Sequence, residues 1–193
     1  MEPTQTKLLN ISAALFAEQG FSAVSMRAIA RAAGITQAAI YHHFANKEAL
    51  YFAALEYLYA GQTIELVSEA SQQGDPEAQL AVTVLGLLEF FDENEHFRRI
   101  YLRELLGGDP ERLELLGEGA FSQLREFLHD LMTQLAPHMD EHLLVLDMVG
   151  MVIHHLEARK LPDQMRTARP EHQELPYLAE HITALMLNGV RRP

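Results

Sequence analysis

An all-α fold is predicted for this chain by three observations. Apolar residues recur at helical spacing of three and four from Leu8 almost to the C-terminus. The breaks between these runs are marked by Gly, Pro, Asn or Asp, as in Gly74-Asp75-Pro76 and Gly107-Gly108-Asp109-Pro110. No segment shows the sustained alternation of a half-buried strand.

The elements follow in order. Leu8, Ile11 and Leu15, widened by Leu9 and Phe16, predict a first helix that stops at Gly20, with Phe21 folding back on its last turn. Ser25 is the N-cap of a second helix, Met26–Ala33, which Gly34 ends. Thr36 caps a third, Gln37–His43, and Asn46 a fourth, from Lys47 to about Gln73. Neither Ser25 nor Thr36 has Glu or Gln three positions on, so neither completes a capping box. Pro76–Glu93 carries Leu80, Val84, Leu87, Leu88 and Phe91 on one stripe, and another helix covers roughly His96–Leu106. Pro110 suits the first position of a helix running to about Leu135, loosened near Gly117 and Gly119. Asp140–Lys160 is helical, Leu161–Pro176 reads as a long loop, and Tyr177–Leu187 is the last helix.

Composition sets limits on function. The 193 residues correspond to roughly one to two domains, and 48% of them are hydrophobic, enough for a sizeable core. Cysteine is absent, which excludes disulfides, a thiolate nucleophile and cysteine zinc sites. The longest strongly apolar stretch, Leu143–Ile153, is interrupted by Asp147 and falls short of the about 20 residues a membrane helix needs. With no signal-peptide pattern at the N-terminus, a cytoplasmic protein without a membrane partner is expected. The net charge of −12 is uneven: residues 1–55 hold four basic against three acidic residues (+1), residues 56–193 eleven against twenty-four (−13). The acidic balance therefore lies outside the first quarter, where the cations cluster.

Within residues 35–50, "ITQAAIYHHFANKEAL", a helical wheel puts Ile40 and Phe44 on one side, where with Ile35 they can pack against Ile29 and Leu15. Ala38 and His42 fall opposite, Tyr41 on the flank, and Gln37 near the N-terminus. Two alanines, Ala38 and Ala39, permit close approach; an amide can read a base edge and a phenol can reach a phosphate. The amides opening the next helix, at Lys47 and Glu48, also favour phosphate.

The stretch "ALFAEQGFSAVSMRAIARAAGITQAAIYHHFANKEAL", residues 14–50, resembles the DNA-binding domain of the tetracycline-repressor (TetR) family. The matching features are Phe16, the Gly20-Phe21 turn, Ser25, Ile29-Ala30, Ala33-Gly34, the run Ile40 to Phe44, and Lys47-Glu48-Ala49-Leu50. The resemblance implies an N-terminal three-helix helix-turn-helix DNA-binding domain, residues 1–50, followed by a helical-bundle effector-binding and dimerisation domain, residues 51–193. It implies a sequence-specific regulator, by family default a repressor, that binds a palindromic operator in double-stranded DNA as a homodimer and is released by a small molecule. Ser25, Tyr41 and Lys47 would contact the DNA backbone; Arg27, Gln37, Ala38 and His42 would lie at base or groove contacts; Thr36 would open the recognition helix. Ala38-Ala39 departs from the commoner Gly or Ser with Thr, which shifts specificity towards Gln37, Arg27 and apolar contact with thymine methyls.

By the same resemblance, Leu144, Met148, Met151, Ile182, Leu185 and Met186 on the last two long helices would form the dimer interface. Phe90, Phe91, Tyr101, Phe121 and Phe127, with Arg103, His129 and His154 as polar groups, would line a pocket for a lipophilic or aromatic effector. No cofactor and no catalytic residue is expected: Ser-His-Asp elbow, P-loop and dinucleotide fingerprint are all missing. Two alternatives stand beside this reading. A metal sensor would use His138 and His142, sharing a face if their helix begins near Pro137, with His154 and His155. A di-iron bundle enzyme would use Glu93-x-x-His96 and Glu126-x-x-His129.

Overall fold

The computed structural model describes residues 3–59, 61–112, 114, 121–159 and 169–190. Ten α-helices and one 3-10 turn are assigned among them: α1 (Pro3–Gln19), α2 (Met26–Ala33), α3 (Gln37–His43), α4 (Lys47–Tyr59), α5 (Gln62–Ser71), α6 (Pro76–Glu93), α7 (Glu95–Gly107), α8 (Ser122–Leu135), α9 (Glu141–Ala158), the turn Pro170–Gln173, and α10 (Leu175–Val190). Two compact units contain them, one drawn from Met1–Ala60 and Asn94–Ala120, the other from Gly61–Glu93 and Phe121–Pro193. The expected boundary between residues 50 and 51 falls inside α4.

The first unit is α1 to α4 with α7 laid against α1 and α4. Its core is Leu8, Leu9, Ala13 and Phe16 from α1, Ile29 from α2, Ile40 from α3, Leu50, Tyr51, Ala54 and Leu55 from α4, and Phe97 and Ile100 from α7. The capping residues read from the sequence act as caps. The Ser25 hydroxyl accepts from the Ala28 N–H at 3.1 Å, Thr36 from Ala39 at 3.1 Å, and the Asn46 carbonyl from Ala49 at 2.7 Å. Gly34 closes α2 with φ 72°, and its N–H bonds back into the last turn of that helix. A Cβ there would meet nothing within 4 Å, so the cost of a side chain is purely that of the left-handed backbone. Gly34→Ala is expected to destabilise the unit by about 1 kcal/mol, read as a lower midpoint of urea unfolding.

The second unit is built around α6, which packs on α5, α8, α9 and α10. Burial of Leu80, Thr83, Val84, Leu87, Leu88, Phe90 and Phe91 leaves this helix little polar face. Close approach to α5 occurs at Gly86, where a Cβ would collide with the Leu66 side chain. Arg159 at the end of α9 pairs with Asp92 of α6 and donates to the Gln173 carbonyl at 3.0 Å, which ties down the segment before α10.

Several expectations are corrected. The single helix from Lys47 to Gln73 is two: α4 ends at Tyr59, and Gly61, with φ 91°, precedes α5. A positive φ breaks the i to i−4 ladder that apolar periodicity alone would continue. The helix before Leu135 is described from Ser122, with residues 110–112 and 114 also helical; Gly117 and Gly119 lie outside the described residues. Within the expected loop Leu161–Pro176, residues 161–168 lie outside the described residues, and Pro170–Gln173 forms the 3-10 turn. Pro176 belongs to the first turn of α10, where its missing N–H has no helical partner to lose. That helix runs longer than Tyr177–Leu187.

Candidate nucleic-acid interface

The turn between α2 and α3 is set by Gly34 and by the Thr36 cap, and it leaves α3 resting on one side only. Ile40 is fully buried and Phe44 nearly so, whereas Thr36, Gln37, Ala38, His42 and His43 are exposed and Tyr41 is 48% exposed. An amphipathic helix this short holds its place through these two buried residues, so the remaining face is free by geometry. Ser25 and Arg27, at the start of α2, are also exposed. His43 is exposed, with its ring 5.3 Å from His42 and 6.4 Å from Phe44.

Lys47 is placed differently from its neighbours. Its ammonium turns inward and donates to the carbonyls of Phe21 at 2.8 Å and Val24 at 3.0 Å, 4.1 Å from the centroid of the Phe21 ring. Burial, and secondarily the charge of Arg112, holds its pKa below the usual lysine value. What Lys47 leaves outward is the start of α4, where Asn46 caps the helix.

The residues expected to line an effector pocket are drawn from both compact units. Phe90, Phe91 and Phe121 belong to the second unit and meet ring to ring, Phe90 to Phe91 at 5.2 Å and Phe90 to Phe121 at 6.1 Å. Phe127 and His129 are half-buried on α8, and His129 stacks on His142 at 5.9 Å. His154 is exposed on α9. Tyr101 and Arg103 belong to the first unit, where burial raises the Tyr101 pKa. Arg103 closes the C-terminal end of α1, donating to the carbonyls of Ala17 at 3.0 Å and Glu18 at 2.7 Å. That is the work of a helix C-cap cation.

Of the residues expected at a dimer interface, Met148 and Ile182 are fully buried within the monomer, and Leu144 and Met186 nearly so. Met151 is half-buried and Leu185 is 53% exposed. The apolar surface of α9 instead carries Leu143 and Leu146, 55% and 50% exposed, with Met139 just before the helix. A groove of about 300 Å³ runs between α9 and α10, lined by Met139, Met151 and Leu185 among others. Sequence reasoning missed Leu143 and Leu146 because α9 is apolar on most sides, and periodicity does not say which stripe the monomer buries.

The metal and di-iron alternatives lose their geometry. α9 begins at Glu141 behind the Asp140 cap, so His138 is outside the helix and shares no face with His142. Glu93 ends α6 and His96 lies in α7, so that Glu-x-x-His motif is split between two helices. Among the described residues no three His, Cys, Asp or Glu side chains are grouped to hold a metal ion. His154, His155 and His181 do approach, His155 to His181 at 5.7 Å, and burial together with the two neighbouring imidazoles lowers the His155 pKa. No helix among the described residues is long and apolar enough to cross a membrane.

Comparison with known proteins bears on the same segment. Residues 8–54 match the model of a family described as bacterial regulatory proteins, tetR family. The chain is 33% identical over 123 residues to the HTH-type transcriptional regulator AcrR of Shigella flexneri, a match covering 63% of this chain and 55% of that protein. The chain thus spans about half the length of this curated relative. In fold it is similar to the fatty acid degradation regulator FadR from Bacillus halodurans, with TM-score 0.75 at 18% identity over 100% of this chain and 99% of that one. It is similarly close to a transcriptional regulator FadR from Bacillus subtilis solved in complex with stearoyl-CoA, with TM-score 0.74 at 15% identity over 96% and 98%.

Proposed function

The chain belongs to the tetR family of bacterial regulatory proteins, and from that premise we propose that it is a ligand-responsive, sequence-specific DNA-binding regulator, a repressor acting in the cytoplasm. The observation that carries this reading is the face of α3. Ile40 and Phe44 bury one side while Gln37, Ala38, Tyr41 and His42 stand exposed on a helix whose entry is capped by Thr36. With Gln37 and Ala38 in the major groove, Gln37 reads an adenine edge and Ala38 a thymine methyl. Tyr41 and Ser25 reach the phosphates, Arg27 and His42 flank the groove, and Lys47 contributes the amide end of α4.

The proposed division of labour is a reading head in residues 1–50 and effector binding and dimerisation in residues 51–193. A two-fold operator needs a two-fold protein, with half-sites about 34–36 Å apart. The exposed leucines of α9 and α10 support self-association through that face. The effector is lipophilic or aromatic, with Phe121 and Phe127 as partly open aromatic surface, and it acts by favouring a state whose heads are wrongly spaced. A fold neighbour holding stearoyl-CoA, a long apolar chain with an anionic end, is compatible with that class.

Selection of binding sites from random duplex DNA tests the reading, with Tyr41→Ala in parallel. A palindromic consensus is expected for the wild type, each mismatch costing about 1–3 kcal/mol. Tyr41→Ala should bind that duplex about tenfold more weakly, a loss of the size expected for one contact. Equal and unselective behaviour of both proteins would overturn it.

A further inference from the structure

The first unit contains a polar cluster that the DNA-reading face does not account for. Glu104 of α7 is 4% exposed. A carboxylate so buried requires partners, and it has two, one from α4 and one just beyond the end of α7. The Tyr51 hydroxyl donates to it at 2.9 Å, and Arg112 pairs with it, NH2 to Oε2, at 3.2 Å. Burial, with Glu104 beside it, raises the Tyr51 pKa far above the usual phenol value, so the hydroxyl stays a donor.

From Arg112 the cluster leads to the reading head. The Arg112 guanidinium lies 4.4 Å from the centroid of Phe21, the same ring that the Lys47 ammonium approaches to 4.1 Å. Phe21 also stacks on Phe16 and meets Tyr51 edge to face, so its ring is held from several sides. Lys47 completes the path by bonding the carbonyls of Phe21 and Val24. Val24 directly precedes Ser25, the cap of α2, and Lys47 is the first residue of α4. One ammonium therefore joins the entrance of α2 to the helix that follows α3.

We propose that Glu104, Arg112 and Lys47 are positioning residues for DNA binding: the α7 carboxylate holds Arg112 on Phe21, and this together with the inward ammonium of Lys47 fixes the entries of α2 and α4 around the recognition helix. The inference rests on the DNA-binding reading above. It differs from a direct role for Lys47 in one measurable respect. Each cation that neutralises a phosphate adds about 0.9 to the slope of log affinity against log salt, whereas a residue that only positions adds nothing.

The test uses the full chain and the duplex the wild-type protein selects from random DNA, with affinity measured by anisotropy across a salt series. Lys47→Met, Glu104→Gln and Arg112→Gln are each expected to weaken binding about tenfold with the salt slope unchanged. The Glu104→Gln, Arg112→Gln double variant should be no weaker than the weaker single, because both break one linkage. Nitrogen-15 spectra of the lysine ammonium groups supply a readout that loss of stability alone would not move. The Lys47 ammonium protons, carried on a nitrogen 4.1 Å from the Phe21 ring centroid, are expected upfield in the wild type and should return towards ordinary lysine values in folded Glu104→Gln. Tyr51→Phe, which removes one hydroxyl and keeps the ring, provides a milder variant with a few-fold loss should Glu104→Gln not fold.

A slope shallower by about 1 for Lys47→Met would show a phosphate contact and overturn the inference. So would folded Glu104→Gln or Tyr51→Phe binding as the wild type does. Those outcomes leave the DNA-binding reading intact, whereas a wild-type protein that selects no duplex would remove both.

Discussion

Leu185→Glu combined with Leu143→Glu is expected to abolish the proposed dimer and to lower affinity for the selected palindrome by about 10²-fold or more. Both leucines are more than half exposed in the monomer, on α10 and α9, so neither substitution opens a cavity. In an isologous interface every residue appears twice, and two carboxylates per subunit would meet their symmetry mates in a desolvated seam. The operator effect follows from linkage. With two heads joined, the second half-site binds at a high effective concentration, and a monomer loses that gain without losing any DNA contact. Sedimentation equilibrium at micromolar protein measures the first effect, and titration of full palindrome against half-site the second. A double variant that remains a dimer would place the interface elsewhere. The contrast with Met148→Glu is informative: Met148 is fully buried in the monomer, so a carboxylate there should unfold the second unit rather than dissociate the dimer.

Phe16→Ala is expected to cost about 3–5 kcal/mol, the range for a large ring removed from a core. Phe16 is buried in α1, stacks on Phe21 at 6.0 Å and meets Tyr51 edge-on at 5.0 Å. Its loss would leave a cavity and loosen the turn that holds α2. Against a typical total stability of about 5–15 kcal/mol, that is enough to populate an unfolded first unit. Urea denaturation should show a large fall in midpoint, and DNA binding should fall with it. Phe16→Leu, closer in volume, should lose much less. A loss below about 1 kcal/mol for Phe16→Ala would mean that the site collapses freely and that Phe16 does not anchor the turn.

How far the chain could be read in advance depended on whether a feature is local. The caps Ser25, Thr36 and Asn46 act as read, because a cap needs only its own side chain and an N–H three residues on. Gly34 ends α2 for an equally local reason, its left-handed φ. The outward face of α3 followed from wheel geometry, since a seven-residue helix with Ile40 inward has little choice of what faces out. Gly61 was misread because a glycine inside an apolar pattern is tolerated in some helices and breaks others, and here its φ is 91°.

What the tertiary structure alone decided are the facts that need two distant segments. Leu144 and Leu143 are adjacent and chemically identical; the packing of α9 on its neighbouring helices buries the first and leaves the second out. Arg103 looks in the sequence like a polar group amid apolar neighbours, yet it serves the end of α1, some 85 residues earlier in the chain. Lys47 sits at a helix start, as the sequence says, but the direction of its ammonium depends on Phe21 and Val24. Glu104 is one of 27 acidic residues, and only the arrival of Tyr51 and Arg112 makes it a buried hub. Most of the helices, the caps and the outward face of α3 were legible without the fold, because turn-by-turn hydrogen bonding and amphipathicity act within a few residues. Which apolar stripe is core, and which charge is buried, was decided by burial against helices remote in sequence, where desolvation sets the energy.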